Sequence, residues 1–299
     1  GISGGIDSTV VAAICHEVSK KTGIPLIGRS LPIKNKSDEF DVSKLVGEAF
    51  CDEFKVFNLS SSYKSVLFDL CADTGLIKDC KGYDWYWVSD LEELAGRTPI
   101  ANGNIQARCR MIHLYDIASI RKGLVMSTDN QTEYQLGFWT IHGDVGDFDP
   151  IQGLWKTEVY ELAKWLIGYY YECGIKKEVD ADGARKICDM CEAIKKSMSL
   201  TPTDGLGISN SDLDQIGAKD YATVDDILSR FIPFENFRKS YDSAGQIMHP
   251  HDEMAESDCW SQLCARHGED VVNKVWSRHL ASEFKRKKAP IYISRELYE

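Results

Sequence analysis

The sequence predicts an α/β fold: a doubly wound, mostly parallel sheet with helices on both faces, extended by an extra helical C-terminal part. Three observations predict it. A glycine-bearing loop, Gly1-Ile2-Ser3-Gly4-Gly5-Ile6-Asp7-Ser8-Thr9, runs straight into an apolar helical stretch. Short apolar segments then alternate with amphipathic ones as far as residue 168, the pattern of βαβ units and a parallel sheet. Beyond that point the chain is mostly helical and polar.

Taken in order, the first helix is expected to bury Val10, Val11, Ile14 and Val18 on one face. Residues 23–28 read as a short apolar strand. Asp38 and Glu39 then suit the positive end of a helix running through Val42, Leu45, Val46 and Ala49. Phe54 to Leu59 alternates like a strand, and Tyr63 to Cys71 reads as a helix. The aromatic run Tyr83-Asp84-Trp85-Tyr86-Trp87 lies in a stretch without clear periodicity, and packing of an insertion is its simplest role. A helix is expected from Asn104 to about Ser119, then a buried strand Leu124-Val125-Met126-Ser127-Thr128. An acidic, glycine-bearing loop follows over residues 143–149, then an amphipathic helix from Lys156 to Gly168 with Val159, Leu162, Ala163 and Leu166 inward. Further helices are expected at Ala184 to Met198, Leu213 to Ile216, Val224 to Phe231 and Val271 to Phe284. Residues 232–258 read as irregular, and 232–270 as an insertion into one domain covering residues 1–299.

Composition narrows the function classes. The chain has 299 residues, 43% hydrophobic and 27% charged, an ordinary globular balance. No apolar run approaches a membrane span, so no membrane partner is expected. The net charge of −11 argues against broad nucleic-acid binding. It also requires an anionic ligand to be met by local cations. Ten cysteines form no framework of paired motifs, since Cys188 and Cys191 have no second pair at zinc-site spacing. They read as buried reduced thiols, which together with the lack of any targeting signal fits a cytoplasmic protein.

The opening loop carries the first chemistry. Gly4 and Gly5 let a polyanion approach the main chain, and the N-terminus of the following helix points its N–H groups at the same place. Ser3 and Ser8 add hydroxyls, and Asp7 adds a carboxylate suited to Mg²⁺. No Gly-x4-Gly-Lys-Ser/Thr occurs, so this is not a Walker loop. The natural ligand is a nucleotide polyphosphate; the plainer reading is a glycine turn capping an ordinary helix. A loop of this kind follows a strand, so one is expected before residue 1. The second signature is Ser127-Thr128-Asp129-Asn130-Gln131-Thr132-Glu133, placed after a strand and so at the sheet's carboxyl edge. Glu133 is a candidate to share Mg²⁺ with Asp7, and Thr128 a candidate nucleotide contact.

The pattern Ser-Gly-Gly-x-Asp-Ser resembles the pyrophosphate loop of the N-type ATP pyrophosphatases. Further motifs follow in order. Asn104, Ala107, Arg108, Arg110 and Met111 come first, then Thr128, Asp129 and Glu133. The acidic loop Gly143-Asp144-Val145-Gly146-Asp147 leads to Pro150, and Leu154 and Lys156 open a helix. Pro202-Thr203, then Asp212, Ile216 and Gly217, then Lys285-Arg286 complete the series. Together they resemble the NAD synthetases, over nearly the whole chain, and specifically the ammonia-dependent type. The fold implied is adenine nucleotide alpha hydrolase-like.

The resemblance implies a reaction and a set of roles. Deamido-NAD would be adenylated by ATP with release of pyrophosphate, and ammonia would displace AMP to give NAD. Ser3, Gly4, Gly5, Asp7 and Ser8 would hold ATP phosphates, and Thr128, Lys156 and Thr203 would also contact ATP. Asp7 and Glu133 would bind Mg²⁺; Arg108, Asp147 and Lys285 would contact deamido-NAD. Asp144 or Asp147 would take a proton from incoming ammonium, so Asp7, Lys156 and Asp144 form the implied catalytic set. A homodimer is also implied. The chain departs from the pattern in a shortened acidic loop with Val145 in place of a glycine, which makes Asp149 a rival to Asp147. Ile141, Phe284 and Ser30 stand where a lysine, a histidine and an arginine are usual, and Arg29 adjoins Ser30. The competing readings are the synthetase domain of a glutamine-dependent relative, another N-type ATP pyrophosphatase such as a GMP synthetase, and a non-catalytic nucleotide-binding module.

Overall fold

The computed structural model describes residues 1–33, 37–75, 96–176, 179–202, 211–243 and 250–286. The aromatic run at 83–87 and Thr203 lie outside the described residues. The residues group into two units. The first comprises Gly1–Asn130, Trp139–Leu154 and Glu158–Asp212; the second comprises Gln131–Phe138, Trp155–Thr157 and Leu213–Glu299.

The first unit is helix-rich α/β. It begins with α1 (Ile6–Thr22), β1 (Ile27–Ser30), α2 (Ser37–Phe50), β2 (Glu53–Val56) and α3 (Ser60–Asp73). It continues through α4 (Pro99–Arg121) and α7 (Ala181–Ser199), and it holds most of α6 (Lys156–Lys176). β1 and β2 pair in parallel, with Ile27 opposite Glu53 and Ser30 opposite Val56. Ile2 N–H donates to the Arg29 carbonyl at 2.8 Å, which lays the start of the opening loop alongside β1. Gly47 lets α2 press onto the sheet: a Cβ there would meet the Phe54 ring at 2.1 Å.

Two apolar clusters hold this unit. One gathers Val10, Val11 and Ala13 of α1, Val46 and Phe50 of α2, Val159 and Ala163 of α6, and Met190 and Ile194 of α7. The other joins Tyr63, Leu67 and Cys71 of α3 to Ile105 and Cys109 of α4, with Leu31, Ile33 and Leu59. Caps fix where the helices start. Thr98 Oγ1 accepts from Ala101 N–H at 3.2 Å ahead of α4, whose first residue is Pro99. Asp180 Oδ1 accepts from Gly183 N–H at 2.9 Å ahead of α7.

Several expectations are corrected here. Val18 is 51% exposed, because the buried face of α1 is centred on Ile6, Thr9, Val10 and Ala13 and turns away by residue 18. The expected strand at 124–128 shrinks to one parallel bridge, Met126 to Phe148, and Leu124 is 66% exposed. Asp147 explains the shortening: its Oδ2 accepts the Val125 N–H at 2.8 Å, removing the donor that a longer ladder would use. The nine described cysteines are free thiols, yet only Cys71, Cys109 and Cys191 are buried and Cys188 is exposed.

An ion cluster ties β2 to α4. Glu53 accepts from Arg29, whose guanidinium is buried, and from Arg121 Nη1 at 2.8 Å. Arg121 first, then Arg29, holds the Glu53 carboxyl down at about 2, against an ordinary 4.5. A depressed carboxyl contributes stability that is complete above its unfolded pKa and is lost as pH falls through the folded one. Urea midpoints of the wild type and Glu53→Gln should therefore differ at pH 6 and converge between about pH 4.5 and 2. A gap that stays constant down to pH 2 would refute this.

The second unit is helical among its described residues. It contains α5 (Gln131–Leu136), the first two residues of α6, α8 (Asp212–Ile216, of which Asp212 belongs to the first unit) and α9 (Tyr221–Ser243). It ends with α10 (Pro250–His267), α11 (Glu269–Ala281) and α12 (Glu283–Arg286). Its core combines Leu136, Ile216, Val224, Ile227, Leu228, Phe231, Leu263, Val272 and Val275. The Phe231 ring meets Trp260 and Trp276 edge-on, with centroids 5.0 and 4.5 Å away. Residues 232–243 and 250–258 are thus helical where irregular chain was expected, and Pro233 sits inside α9. The aromatic contacts reward helix here in spite of the proline. No helix among the described residues is long and apolar enough to cross a membrane.

Candidate active site

In the first unit the opening loop is built as a cradle. Gly4 has φ +94°, a conformation that favours glycine, and a Cβ on it would meet the Glu39 carbonyl oxygen at 2.6 Å and the Ser43 nitrogen at 2.9 Å. The loop is therefore pressed against α2 with no room for a side chain. Ser3 Oγ accepts the Gly5 N–H at 3.2 Å and lies 3.0 Å from Ser8 Oγ, which donates to the Gly5 carbonyl at 3.0 Å. These bonds fix the loop's shape. α1 then starts without a side-chain cap. Its first-turn N–H groups and the positive end of its dipole make a ready anion site.

Asp7 lies in the first turn of α1 and is half-buried. Its Oδ1 accepts from Asn130 Nδ2 at 2.8 Å, a bond spanning 123 positions in sequence. The opening loop is thereby joined to the Ser127–Asn130 part of the second signature. No group of three or more His, Cys, Asp or Glu among the described residues would cage a metal ion. An oriented carboxylate beside an uncapped helix N-terminus fits Mg²⁺ in its usual form, held by one or two carboxylates and by substrate phosphates.

The acidic loop is tied down from α4. Thr140 Oγ1 donates to Asn104 Oδ1 at 2.8 Å, and Arg108 Nη2 donates to the Ile141 carbonyl at 3.1 Å. Tyr115 donates its hydroxyl proton to Asp147 Oδ1 at 3.0 Å. Both Asp147 oxygens therefore accept bonds inside the unit, from Tyr115 and from Val125. Asp147, implied by the resemblance as a dinucleotide contact, shapes the loop. Arg108 is exposed, with its guanidinium at the loop. Asp144, also exposed, accepts the Thr140 N–H at 2.7 Å. Asp149 accepts the Ile151 N–H at 3.2 Å, and burial pushes its carboxyl above the ordinary range. Thr128 follows Ser127 at the Met126 bridge and is half-buried. Arg29, adjacent to Ser30, is taken up by Glu53 and by the Gly28 carbonyl at 2.7 Å. Ser30 Oγ sits 2.8 Å from Ser43 Oγ.

In the second unit Lys156 is 1% exposed, and its Nζ donates to Glu133 Oε1 at 2.8 Å. The sequence proposed these two as an ATP contact and a metal ligand; the structure pairs them. Lys156 Nζ also stands 5.6 Å from the centre of the Tyr221 ring. The start of α6 is pinned by a network that sequence reasoning missed. Thr132 Oγ1 accepts the Lys156 N–H at 2.9 Å and donates to Asp225 Oδ1 at 2.5 Å. Asp225 Oδ2 accepts from Thr157 N–H at 3.0 Å and from its hydroxyl at 2.8 Å. Asp225 lies in a helical run between Val224 and Ile227, a pattern that gives no sign of a buried carboxylate. Lys285 Nζ donates to the Gly137 carbonyl at 2.6 Å. Phe284 is exposed.

The family model for NAD synthase matches residues 1–289. The chain belongs to the NAD synthase family. The "NH(3)-dependent NAD(+) synthetase" of Thermoplasma acidophilum is 35% identical over 233 residues, 77% of this chain and 74% of that protein. The protein of the same name from Methanococcoides burtonii is 30% identical over 239 residues, 79% and 72% of the two chains. The one from Campylobacter jejuni is 32% identical over 183 residues, and that match spans 63% of the Campylobacter protein. Among solved structures, an NMN synthetase from Francisella tularensis superposes with a TM-score of 0.62. It covers 98% of this chain and 88% of that one at 23% identity, a likeness of fold. NAD synthase membership accounts for the ordered motifs and for the parallel α/β architecture together.

Proposed function

We propose that this NAD synthase family member converts deamido-NAD to NAD in an ATP-dependent amidation, with ammonia as nitrogen donor and AMP and pyrophosphate as products. The observation that carries the reading is the Asp7–Asn130 bond, which within one unit ties the opening loop to the Ser127–Asn130 part of the second signature. In the first step the nicotinate carboxylate attacks the α-phosphorus of ATP, and pyrophosphate leaves. This step is limited by charge on the phosphates rather than by the strength of a protein nucleophile. The loop N–H groups, Ser3, Ser8 and the α1 terminus bind that charge, and Thr128, Lys156 and Thr203 complete the ATP contacts. Asp7 and Glu133 are the residues assigned to magnesium, which when bound neutralises phosphate charge.

In the second step ammonia attacks the activated carbonyl and AMP leaves. Ammonium must first lose a proton, and Asp144, exposed on the acidic loop, is assigned to accept it. Arg108, Asp147 and Lys285 are assigned to deamido-NAD. The α4 contacts at Asn104, Arg108 and Tyr115 hold the acidic loop in one shape, so its carboxylates are positioned before substrate arrives. A cytoplasmic homodimer is the form we expect. The test is incubation with ATP, Mg²⁺, deamido-NAD and either ammonium or glutamine. NAD and AMP should form in equal amounts with ammonium and not with glutamine. Folded, ATP-binding protein that forms no NAD would refute the reaction, and turnover with glutamine alone would refute the nitrogen source.

A further inference from the structure

We infer that Asn130 is a positioning residue for the Asp7 carboxylate, setting its orientation for a divalent cation. The inference rests on the assignment of Asp7 to the metal. Asn130 is 0% exposed and follows directly on the Ser127-Thr128-Asp129 segment. Only the NH₂ end of its amide can donate to a carboxylate, so the 2.8 Å contact to Asp7 Oδ1 fixes which way the amide faces. A carboxylate on a helix's first turn has several rotamers open to it, and a fixed donor from a distant segment selects among them.

The segment that presents Asn130 is itself held. Ser127 N–H donates to the Phe148 carbonyl at 2.8 Å, and Asp147 N–H donates to the Val125 carbonyl at 2.7 Å. Gly146 passes so close that a Cβ there would meet the Val125 oxygen at 2.5 Å. Asn130 is thus carried by a backbone clamped to the acidic loop, while Asp7 is carried by a cradle clamped to α2. The Asn130–Asp7 side-chain bond between the two segments orients the candidate ligand. Partners of this kind, standing behind a metal ligand, change affinity on the order of 10- to 100-fold when removed.

The test is Mn²⁺ binding, followed by electron paramagnetic resonance, to protein saturated with α,β-methylene-ATP. Asn130→Ala, Asn130→Leu, Asp7→Asn and the double variant Asp7→Asn/Asn130→Ala are compared. Asn130→Leu keeps the side-chain volume and loses the donor, so the test survives a folding defect in the alanine variant. Each Asn130 variant should weaken Mn²⁺ binding about 10- to 100-fold. Metal-free nucleotide affinity should stay within about twofold, because Asn130 is assigned no nucleotide contact, and the double variant should be no weaker than Asp7→Asn. Unchanged Mn²⁺ affinity in folded Asn130 variants, with affinity lost in Asp7→Asn, overturns the inference and leaves the metal assignment standing. Unchanged affinity in Asp7→Asn as well overturns both.

Discussion

Asp7→Asn should slow pyrophosphate release from ATP in the presence of deamido-NAD by about 10²- to 10³-fold, the cost of removing one preorganised charge-stabilising group. Asparagine keeps the shape and an Oδ1 acceptor, so the Asn130 Nδ2 bond at 2.8 Å can persist. What is lost is the negative charge. On the first turn of a 17-residue helix that charge is worth about 0.3–1 kcal/mol against the dipole, too little to unfold the unit. The melting transition and circular dichroism should therefore match the wild type closely while the chemistry fails. The effect should fall on kcat more than on ATP binding, because the loop N–H groups and the helix terminus remain. Near-normal pyrophosphate release by the variant would show that Asp7 does not hold the metal.

The opening loop was legible because its chemistry is local. Glycine at Gly4 answers a φ of +94°, which favours a residue without a Cβ, and the hydroxyls at Ser3 and Ser8 close on their own loop. The helices at Tyr63, Asn104, Lys156 and Ala184 were legible for a similar reason, since apolar periodicity is a property of neighbours in sequence. Their ends were less so, and α6 runs on to Lys176. What escaped depends on partners far along the chain. The strand at Leu124 fails because Asp147, 22 residues on from Val125, takes its N–H. α9 continues through Pro233 because Phe231 finds Trp260 and Trp276. Asn130 was visible within its signature, but nothing in the sequence said that it would reach Asp7.

Lys156→Met should destabilise the protein by about 3 kcal/mol, at the lower end of the cost of breaking a buried pair by removing one partner. Lys156 is almost wholly buried, and its side chain is held between Glu133 Oε1 at 2.8 Å and the Tyr221 ring. Methionine fills much of the same volume and can rest on the same ring. The cost therefore comes from Glu133, whose carboxylate is only 17% exposed and loses the cation that compensates its burial. Glu133→Gln on top of Lys156→Met removes that charge as well, and replacement of both members of a buried pair is often close to neutral. The double variant should thus recover about 2 kcal/mol of the loss in urea unfolding. Its turnover should not recover: both groups are assigned to ATP and magnesium, so single and double variants should each fall on the order of 10²-fold or more. Stability and activity would then separate. A pair with a purely structural role would return both together in the double variant, and a double variant as unstable as Lys156→Met would mean that Glu133 does not depend on Lys156 for its charge.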